Sequence, residues 1–340
     1  MRKLSLKAGI TSKGAVLLGK YVACDGHDEA RPLRVVTHAH ADHTIALNKS
    51  LQQCEIVLMT PATKDLLSIL KGELFLMRGN VKTLNYQKPF EYRDERITFF
   101  FADHILGSAQ VLVNDSESRI LYTSDFRMPK TPVIECDILV MEATYGCSHC
   151  IRPFREEIED IIVDIVDKGL CEGPVYIFGY YGKLQEVMEI LWNHGVKVPY
   201  IVPVRVFQVC KVYEKYGRRI GRFWHSKSNY AKELIEKNEQ FVGFYHMASR
   251  RKFKGTKSFK IMVSGWEFAE PCRQIGEKEY VIALSDHSDF EDLLDYVRRC
   301  RPKLVLTDNY RIGYAKVLAR EIRRRLGIKA VAAPPRKPKK

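Results

Sequence analysis

At 340 residues, with 46% hydrophobic and 28% charged side chains, the chain can fill one large domain or two of ordinary size and bury a full core. No apolar run approaches the roughly 18 residues a membrane span needs, which excludes a helical membrane protein, and the opening Met1–Lys7 lacks the apolar core of a secretory signal, so the expected location is cytoplasmic. The net charge of +14 is segregated: residues 201–270 hold 15 Lys and Arg against 6 Asp and Glu, and residues 311–340 hold 11 against 1.

Charge distributed in this way suits a backbone-binding track for nucleic acid. Solvated helices that are simply basic, such as Arg320–Arg325, are the equal alternative. Nine cysteines, odd in number and scattered, favour reduced thiols over a disulfide framework.

In chain order, short strands between residues 14 and 36 are broken at Gly19 and Gly26, and the last of them, Leu33-Arg34-Val35-Val36, runs into Thr37-His38-Ala39-His40-Ala41-Asp42-His43. Three imidazoles and a carboxylate launched from one strand end can converge on a divalent metal, and nitrogen and oxygen donors of this kind suit zinc without thiolates. A polar turn has no need of three histidines. Residues 55–59 read as a strand, and Thr60-Pro61 starts a helix that runs to Leu70, with threonine at the cap and proline in the first turn.

A strand over 96–101 ends in Asp103-His104, and a hairpin of 111–113 with 120–123 runs into Ser124-Asp125. The apolar run 138–141 ends in Glu142. An apolar run followed by a ligand-type residue recurs, as a site built on loops over rigid sheets requires. Cys147-Ser148-His149-Cys150 has C-x-x-C spacing but no second pair, so it reads as a loop of ordinary thiols, with an accessory metal or redox role as the alternative.

From about residue 153 the pattern changes. Helices over 154–168, 183–193 and 205–216 alternate with strands over 175–179, 200–202, 241–245 and 259–263, which predicts a small α/β domain with a parallel sheet. A strand over 280–284 leads into Ser285-Asp286-His287-Ser288-Asp289-Phe290, followed by a helix over 289–300, a strand over 303–306, a basic helix over 311–326 and a basic disordered tail.

The run His38-Ala39-His40-Ala41-Asp42-His43 resembles the H-x-H-x-D-H signature of the metallo-β-lactamase fold, an αββα sandwich with its metal site in loops at strand ends. His104 in His-Ile-Leu-Gly-Ser-Ala-Gln, Asp125 in Tyr-Thr-Ser-Asp-Phe-Arg, Glu142 in Glu-Ala-Thr-Tyr-Gly and His287 in Ser-Asp-His-Ser-Asp-Phe extend the resemblance to the β-CASP nucleases, in which an α/β domain is inserted into that fold. Gly182-Lys183-Leu184-Gln185-Glu186 and Val263-Ser264-Gly265-Trp266 are similar to segments of the branch that holds DNA-ligase-associated exonucleases and Artemis-type repair nucleases.

The resemblance implies an α/β chain divided into a lactamase part at 1–152 and 263–333, an inserted domain at 153–262 and a tail at 334–340. It also implies two Zn2+ ions, with Mn2+ or Mg2+ as alternatives: His38, His40, His104 and Asp125 would hold one, and Asp42, His43 and bridging Asp125 the other. Glu142 would either orient a ligating histidine or meet the site directly, and His287 would be ligand or general acid. Thr307-Asp308-Asn309 stands where relatives carry T-H-G, so Asp308 is either a replacement ligand or a loop aspartate. Lys183, Ser264 and Trp266 are the implied substrate-binding residues. The implied activity is a zinc-dependent phosphodiesterase, a 5′ DNA exonuclease acting on single strands or ends in repair. RNA processing is the first alternative, and a small-molecule hydrolase or a non-catalytic nucleic-acid-binding subunit are further ones.

Overall fold

The computed structural model describes residues 7–335, the side chains of Leu74 and Phe75 excepted. The stretch Arg336–Lys340 of the expected tail and Met1–Leu6 of the chain's start lie outside the described residues. The chain is mixed α/β and forms two compact units, Met1–Ile151 with His287–Lys340, and Arg152–Asp286. Among the described residues no helix is long and apolar enough to cross a membrane.

The first unit contains two sheets. One has six strands in chain order: Ala8–Ile10, Val16–Leu18, Val22–Cys24, Leu33–Val35, Ile56–Met59 and Val81–Thr83. Its first three strands form an antiparallel meander and the rest are parallel. The other has seven, in the order Lys329–Ala333, Leu304–Asp308, Ile138–Met141, Arg119–Tyr122, Ala109–Asn114, Glu95–Phe101 and Pro89–Tyr92. Leu304–Asp308 from the end of the chain lies parallel beside Ile138–Met141, which is why two distant segments make one unit.

The central strands of the seven-stranded sheet are buried on both faces, so their alternation sorts apolar side chains between two cores. Val111, Val113, Ile120, Tyr122, Ile138 and Val140 share a cluster with Val16, Leu18, Val22, Leu33 and Val35 of the other sheet. Leu112, Leu121, Leu139 and Met141 face the opposite way, against the helices Phe290–Cys300 and Ala315–Leu326. Those helices bury Phe290, Leu293, Leu294 and Val297, and Ala315, Leu318, Ala319 and Ile322, at helical spacing. Each buried Leu or Phe contributes about 1.5–3 kcal/mol, so the strand ends that carry polar loops rise from a rigid base.

The second unit is built on a seven-stranded sheet in the order Phe223–His225, Tyr200–Val202, Val242–His246, Val175–Gly179, Phe259–Val263, Glu279–Ile282 and Cys272–Gly276. All neighbours are parallel except the last pair. The helix Ile158–Leu170 leads into its first strand, and the helices Lys183–Asn193, Val204–Lys215 and Asn229–Glu236 connect successive strands. This unit runs to Asp286, not to the expected 262, because Glu279–Ile282 extends the parallel sheet by pairing with Phe259–Val263.

Candidate metal centre

Four strand ends of the first unit deliver the polar residues. Beyond Leu33–Val35, a 3-10 turn over Ala41–His43 carries Asp42 and His43. The buried Arg34 holds this turn, donating from Nη2 to the His43 carbonyl at 3.1 Å and from Nη1 to that of Ile45 at 3.4 Å. Burial pushes its guanidinium down to about 10.

His104 follows Glu95–Phe101 in a loop pinned at Gly107, whose carbonyl accepts from the hydroxyls of Thr60 (2.7 Å) and Thr63 (3.0 Å). Gly107 has φ +86°, and a Cβ there would lie 2.6 Å from the Thr63 nitrogen, so only glycine closes this loop. Asp125 follows Arg119–Tyr122 through Ser124, which sits at φ +56°, an uncommon conformation for a non-glycine residue. Glu142 follows Ile138–Met141 directly.

These residues meet. His38, His40 and His104 present ring nitrogens within 4.8 Å of one another, as do His38 and His43 with a carboxylate oxygen of Asp125, and His104 and His287 with the same residue. The Asp125 Oδ2 atom lies 3.1 Å from His43 Nε2 and 3.8 Å from both His38 Nε2 and His104 Nε2. Asp42 Oδ2 approaches His43 Nε2 at 3.6 Å from the exposed side.

Beneath this cluster lies a group absent from the sequence expectations. Asp25, fully buried in the turn after Val22–Cys24, places Oδ2 2.7 Å from His43 Nδ1 and accepts from Thr37 through both the backbone nitrogen (2.9 Å) and the hydroxyl (2.7 Å). An ionised carboxylate only accepts, so it holds the proton of His43 on Nδ1 and turns Nε2 toward Asp125. The signal that could have revealed Asp25 is the one used for the others, an apolar run ending in a carboxylate.

Burial and the Arg311 charge push His43 down, but Asp125, Asp25 and Asp42 outweigh them and hold it up at about 10. Burial, with repulsion from His43, His104 and His40, drives His38 well below its ordinary value, which keeps it a neutral donor. Burial raises the Asp125 carboxyl, yet the surrounding imidazoles, His43 first, hold it well below the usual carboxylate range.

Glu142 faces His287: each carboxylate oxygen is 3.1 Å from His287 Nδ1. The same carboxylate accepts from the backbone nitrogens of Phe126 (3.0 Å) and Thr144 (3.3 Å), so it is itself fixed and leaves His287 Nε2 as the presented nitrogen.

Four expected residues lie elsewhere. Asp308 is buried with its oxygens committed to Arg311 Nη1 at 2.6 Å and to the backbone nitrogens of Tyr310 (2.8 Å) and Arg311 (3.3 Å). Arg311 in turn donates to the Asp42 carbonyl at 3.1 Å, so Asp308 acts on the site through an arginine, and it joins none of the metal-type groups among the described residues. Lys183, in the second unit, is buried with Nζ 3.0 Å from Asp286 and 3.2 Å from the Leu284 carbonyl, committed to internal partners instead of facing solvent as a phosphate contact would. Ser264 Oγ accepts from the Trp266 nitrogen at 3.1 Å, and Trp266 is exposed.

The donors fit a divalent ion. Among the described residues, His38 Nε2 is buried with no hydrogen-bond partner, and His43 Nε2 is buried with the Asp125 carboxylate at 3.1 Å. An orphaned buried nitrogen costs about 1–3 kcal/mol unless something accepts its lone pair, and imidazoles arranged around one carboxylate are zinc-type ligands.

No protein-family model matches the chain. An uncharacterized protein in the lig 3′ region of Acidianus ambivalens is 39% identical over 137 residues, 39% of this chain and 98% of that protein. A probable DNA ligase of Opitutus terrae is 26% identical over 319 residues, covering 87% of this chain and 28% of the ligase. An RNase J-like protein of Methanocaldococcus jannaschii is 28% identical over 213 residues, 54% of this chain and 50% of that protein. The chain belongs to the β-CASP nuclease family.

This β-CASP chain thus spans half or less of the length of its ligase and RNase J-like relatives. A solved structure of a protein of unknown function from Enterococcus faecalis V583 matches with a TM-score of 0.58 over 83% of this chain and 76% of its own, at 14% identity, a likeness of fold alone.

Proposed function

We propose that the chain is a metal-dependent nuclease with the metallo-β-lactamase αββα sandwich as its scaffold, and, as the finer reading, a zinc-dependent exonuclease that trims DNA from 5′ ends in repair or processing. The observation that carries it is the group of histidines gathered on Asp125, with His38 Nε2 buried and unpartnered among the described residues and His43 Nε2 facing only that carboxylate. His38, His40, His104 and Asp125 would hold one ion, and Asp42, His43 and Asp125 a second; the imidazole-rich set favours zinc over Mn2+ or Mg2+. Divalent ions bound there would supply Lewis-acid stabilisation of phosphoryl charge and a nucleophile ionised near neutral pH.

The remaining chemistry belongs to side chains. Asp25 keeps the His43 ring oriented, and Glu142 holds His287 by Nδ1, leaving Nε2 to hold or donate a proton at the leaving 3′-oxygen. DNA is favoured over RNA because the similarity to a probable DNA ligase runs along 87% of the chain. RNA processing is the second reading, supported by the RNase J-like relative, whose similarity covers 54%. Nine free cysteines suit a cytoplasmic setting.

The test is hydrolysis by the metal-loaded protein of matched single-stranded DNA and RNA, each with a 5′-phosphate or a 5′-hydroxyl, with elemental analysis of the same sample. Shortening of DNA from the 5′ end is expected, with two zinc ions per chain at the histidine–carboxylate centre, counted apart from any ion held by thiolates. Preference for RNA transfers the assignment to the second reading. A folded, loaded protein that cuts none of the four substrates overturns both, and full activity with one zinc at the histidine–carboxylate centre overturns the binuclear reading.

A further inference from the structure

The loop that follows Glu142 and Tyr145 carries a second group of donors. Cys147 and Cys150 are buried, 3% and 0% exposed, with their sulfurs 2.7 Å apart. His149, exposed between them in sequence, turns Nε2 to 3.2 Å from Cys147 Sγ. All three donor atoms lie within 4.8 Å of one another, and none of these residues belongs to the histidine–carboxylate groups.

Among the other buried thiols, only Cys54 has an imidazole near it, His27 Nδ1 at 4.0 Å, and no second thiol joins that pair in a metal-type group among the described residues. Cys136 and Cys300 sit 3.4 Å apart in the core, with Cys300 Sγ donating to the Ile134 carbonyl, and Cys210 donates to Met188 Sδ. No imidazole nitrogen is directed at those sulfurs in either case. A disulfide needs two sulfurs and leaves His149 without a purpose, whereas a thiophilic ion uses all three donors.

We propose that Cys147, His149 and Cys150 form a second metal site, for a thiophilic divalent cation such as Zn2+, with a fourth coordination position open to solvent on the His149 side. Two thiolates and one imidazole select zinc-type ions and discriminate against Mg2+ and Mn2+. The site differs in kind from the sulfur-free centre beneath it in the sequence.

Its role is to brace. Cys150 O accepts from Phe290 N at 3.1 Å, at the start of the helix Phe290–Cys300, and the His149 ring stands edge-on to Tyr314 at 5.4 Å. Gly146 lies so close to the helix Ala315–Leu326 that a Cβ would approach Leu318 Cβ at 2.8 Å. An ion here ties the segment after Glu142 to both helices, and Glu142 is the group that holds His287. Cys147, His149 and Cys150 are therefore positioning residues.

Cobalt gives the test, because thiolate coordination produces a sulfur-to-cobalt charge-transfer band in the near ultraviolet that the histidine–carboxylate centre cannot give. Reduced, metal-free full-length protein titrated with Co2+ alone is expected to develop this band and to saturate it at one equivalent assigned to sulfur. Cys147→Ser with Cys150→Ser should abolish the band, and Cys136→Ser with Cys300→Ser should leave it intact. His149→Ala, at an exposed side chain, should shift and weaken it, so the test does not rest on the folding of the double serine variant. Cobalt uptake without the band, a band that survives Cys147→Ser with Cys150→Ser, or a Cys147–Cys150 disulfide recovered by peptide mapping from protein isolated anaerobically overturns the assignment.

Discussion

Replacing Asp25 by asparagine removes one negative charge from beneath His43 while preserving the shape of the side chain. The asparagine oxygen can still accept from the Thr37 nitrogen, now served at 2.9 Å, and the Thr37 hydroxyl can turn to accept where it formerly donated at 2.7 Å. The amide NH2 then faces His43 Nδ1, which in Asp25 meets an acceptor at 2.7 Å. To satisfy that donor, His43 must carry its proton on Nε2, the nitrogen that faces Asp125 at 3.1 Å and that a metal would need as a lone pair. Loss of such a partner typically weakens metal binding about 10- to 100-fold, about 1.4–2.7 kcal/mol. Arg34 and Arg311 also lose a nearby counter-charge, so a stability loss of about 1–3 kcal/mol is expected alongside. Competition against a chromophoric chelator measures the first quantity and urea unfolding of the metal-free protein measures the second. If the Asp25→Asn protein is folded and both metal affinities stay within about twofold of the parent, the assignment of Asp25 as the group that sets the His43 tautomer is refuted.

Three further outcomes are expected. His287→Ala should reduce cleavage of a nucleic acid by about 10²–10⁴-fold while sparing a p-nitrophenyl phosphodiester, whose leaving group needs no proton; equal loss on both, with loss of one ion, would make His287 a ligand. Asp308→Asn should destabilise the fold by about 1–3 kcal/mol, because the buried Arg311 loses its hydrogen-bonded counter-charge, without changing the metal count; a fall in metal content with unchanged stability would restore Asp308 to the ligand set. Arg251, Lys252 and Lys254 are exposed and make no ion pair among the described residues, so replacing all three by alanine should flatten the log–log salt dependence of single-strand binding by about 2, at about 0.7 per phosphate; an unchanged slope would remove that segment from the backbone track.

The parts of the fold that were legible in the sequence are those with a strong local signal. Runs such as Ile56–Met59, Ile138–Met141 and Val175–Gly179 are apolar, compact and bounded by polar loops, and the helix Pro61–Lys71 begins at Thr60, whose side chain accepts from the Thr63 nitrogen as a cap should. The short strands Val81–Thr83, Phe223–His225 and Cys272–Gly276 were not legible, since each is stabilised by pairing with a partner strand instead of by its own pattern. The C-terminal helix starts at Ala315, four residues past the expected position, because the preceding turn is occupied by Asp308 capping Tyr310 and Arg311 and by Gly313 packed 2.2 Å (as a Cβ) from the Ala143 carbonyl. At the site, His38, His43, His104, Asp125 and His287 all announce themselves as ligand types at strand ends, and they meet. Asp25 carries the same signal, the strand run Val22–Cys24 ending in a carboxylate, whereas the importance of Arg311 arises only from its contacts with Asp308 and the Asp42 carbonyl. Lys183 and Asp308 show the converse, charged residues in suggestive segments whose burial commits them to internal partners.

The interleaving of Leu304–Asp308 between Ile138–Met141 and Lys329–Ala333 has a consequence for the order in which the molecule is made. A growing chain that has emerged as far as Ile151 has two strands too few and lacks both helices that cover Leu112, Leu121, Leu139 and Met141, so one apolar face has nothing to bury against. The contacts that close it join residues separated by more than a hundred positions, and the loop-closure entropy of such contacts must be met before they stabilise anything. The intervening Arg152–Asp286 unit has its own sheet and can form first, shortening the effective loop. His287 is the first residue after it, so the last imidazole of the cluster joins the others only once that whole unit has been made. The complete cluster is thereby tied to synthesis of the intervening unit, and any truncation upstream of His287 leaves histidines in place without the group that Glu142 is set to hold.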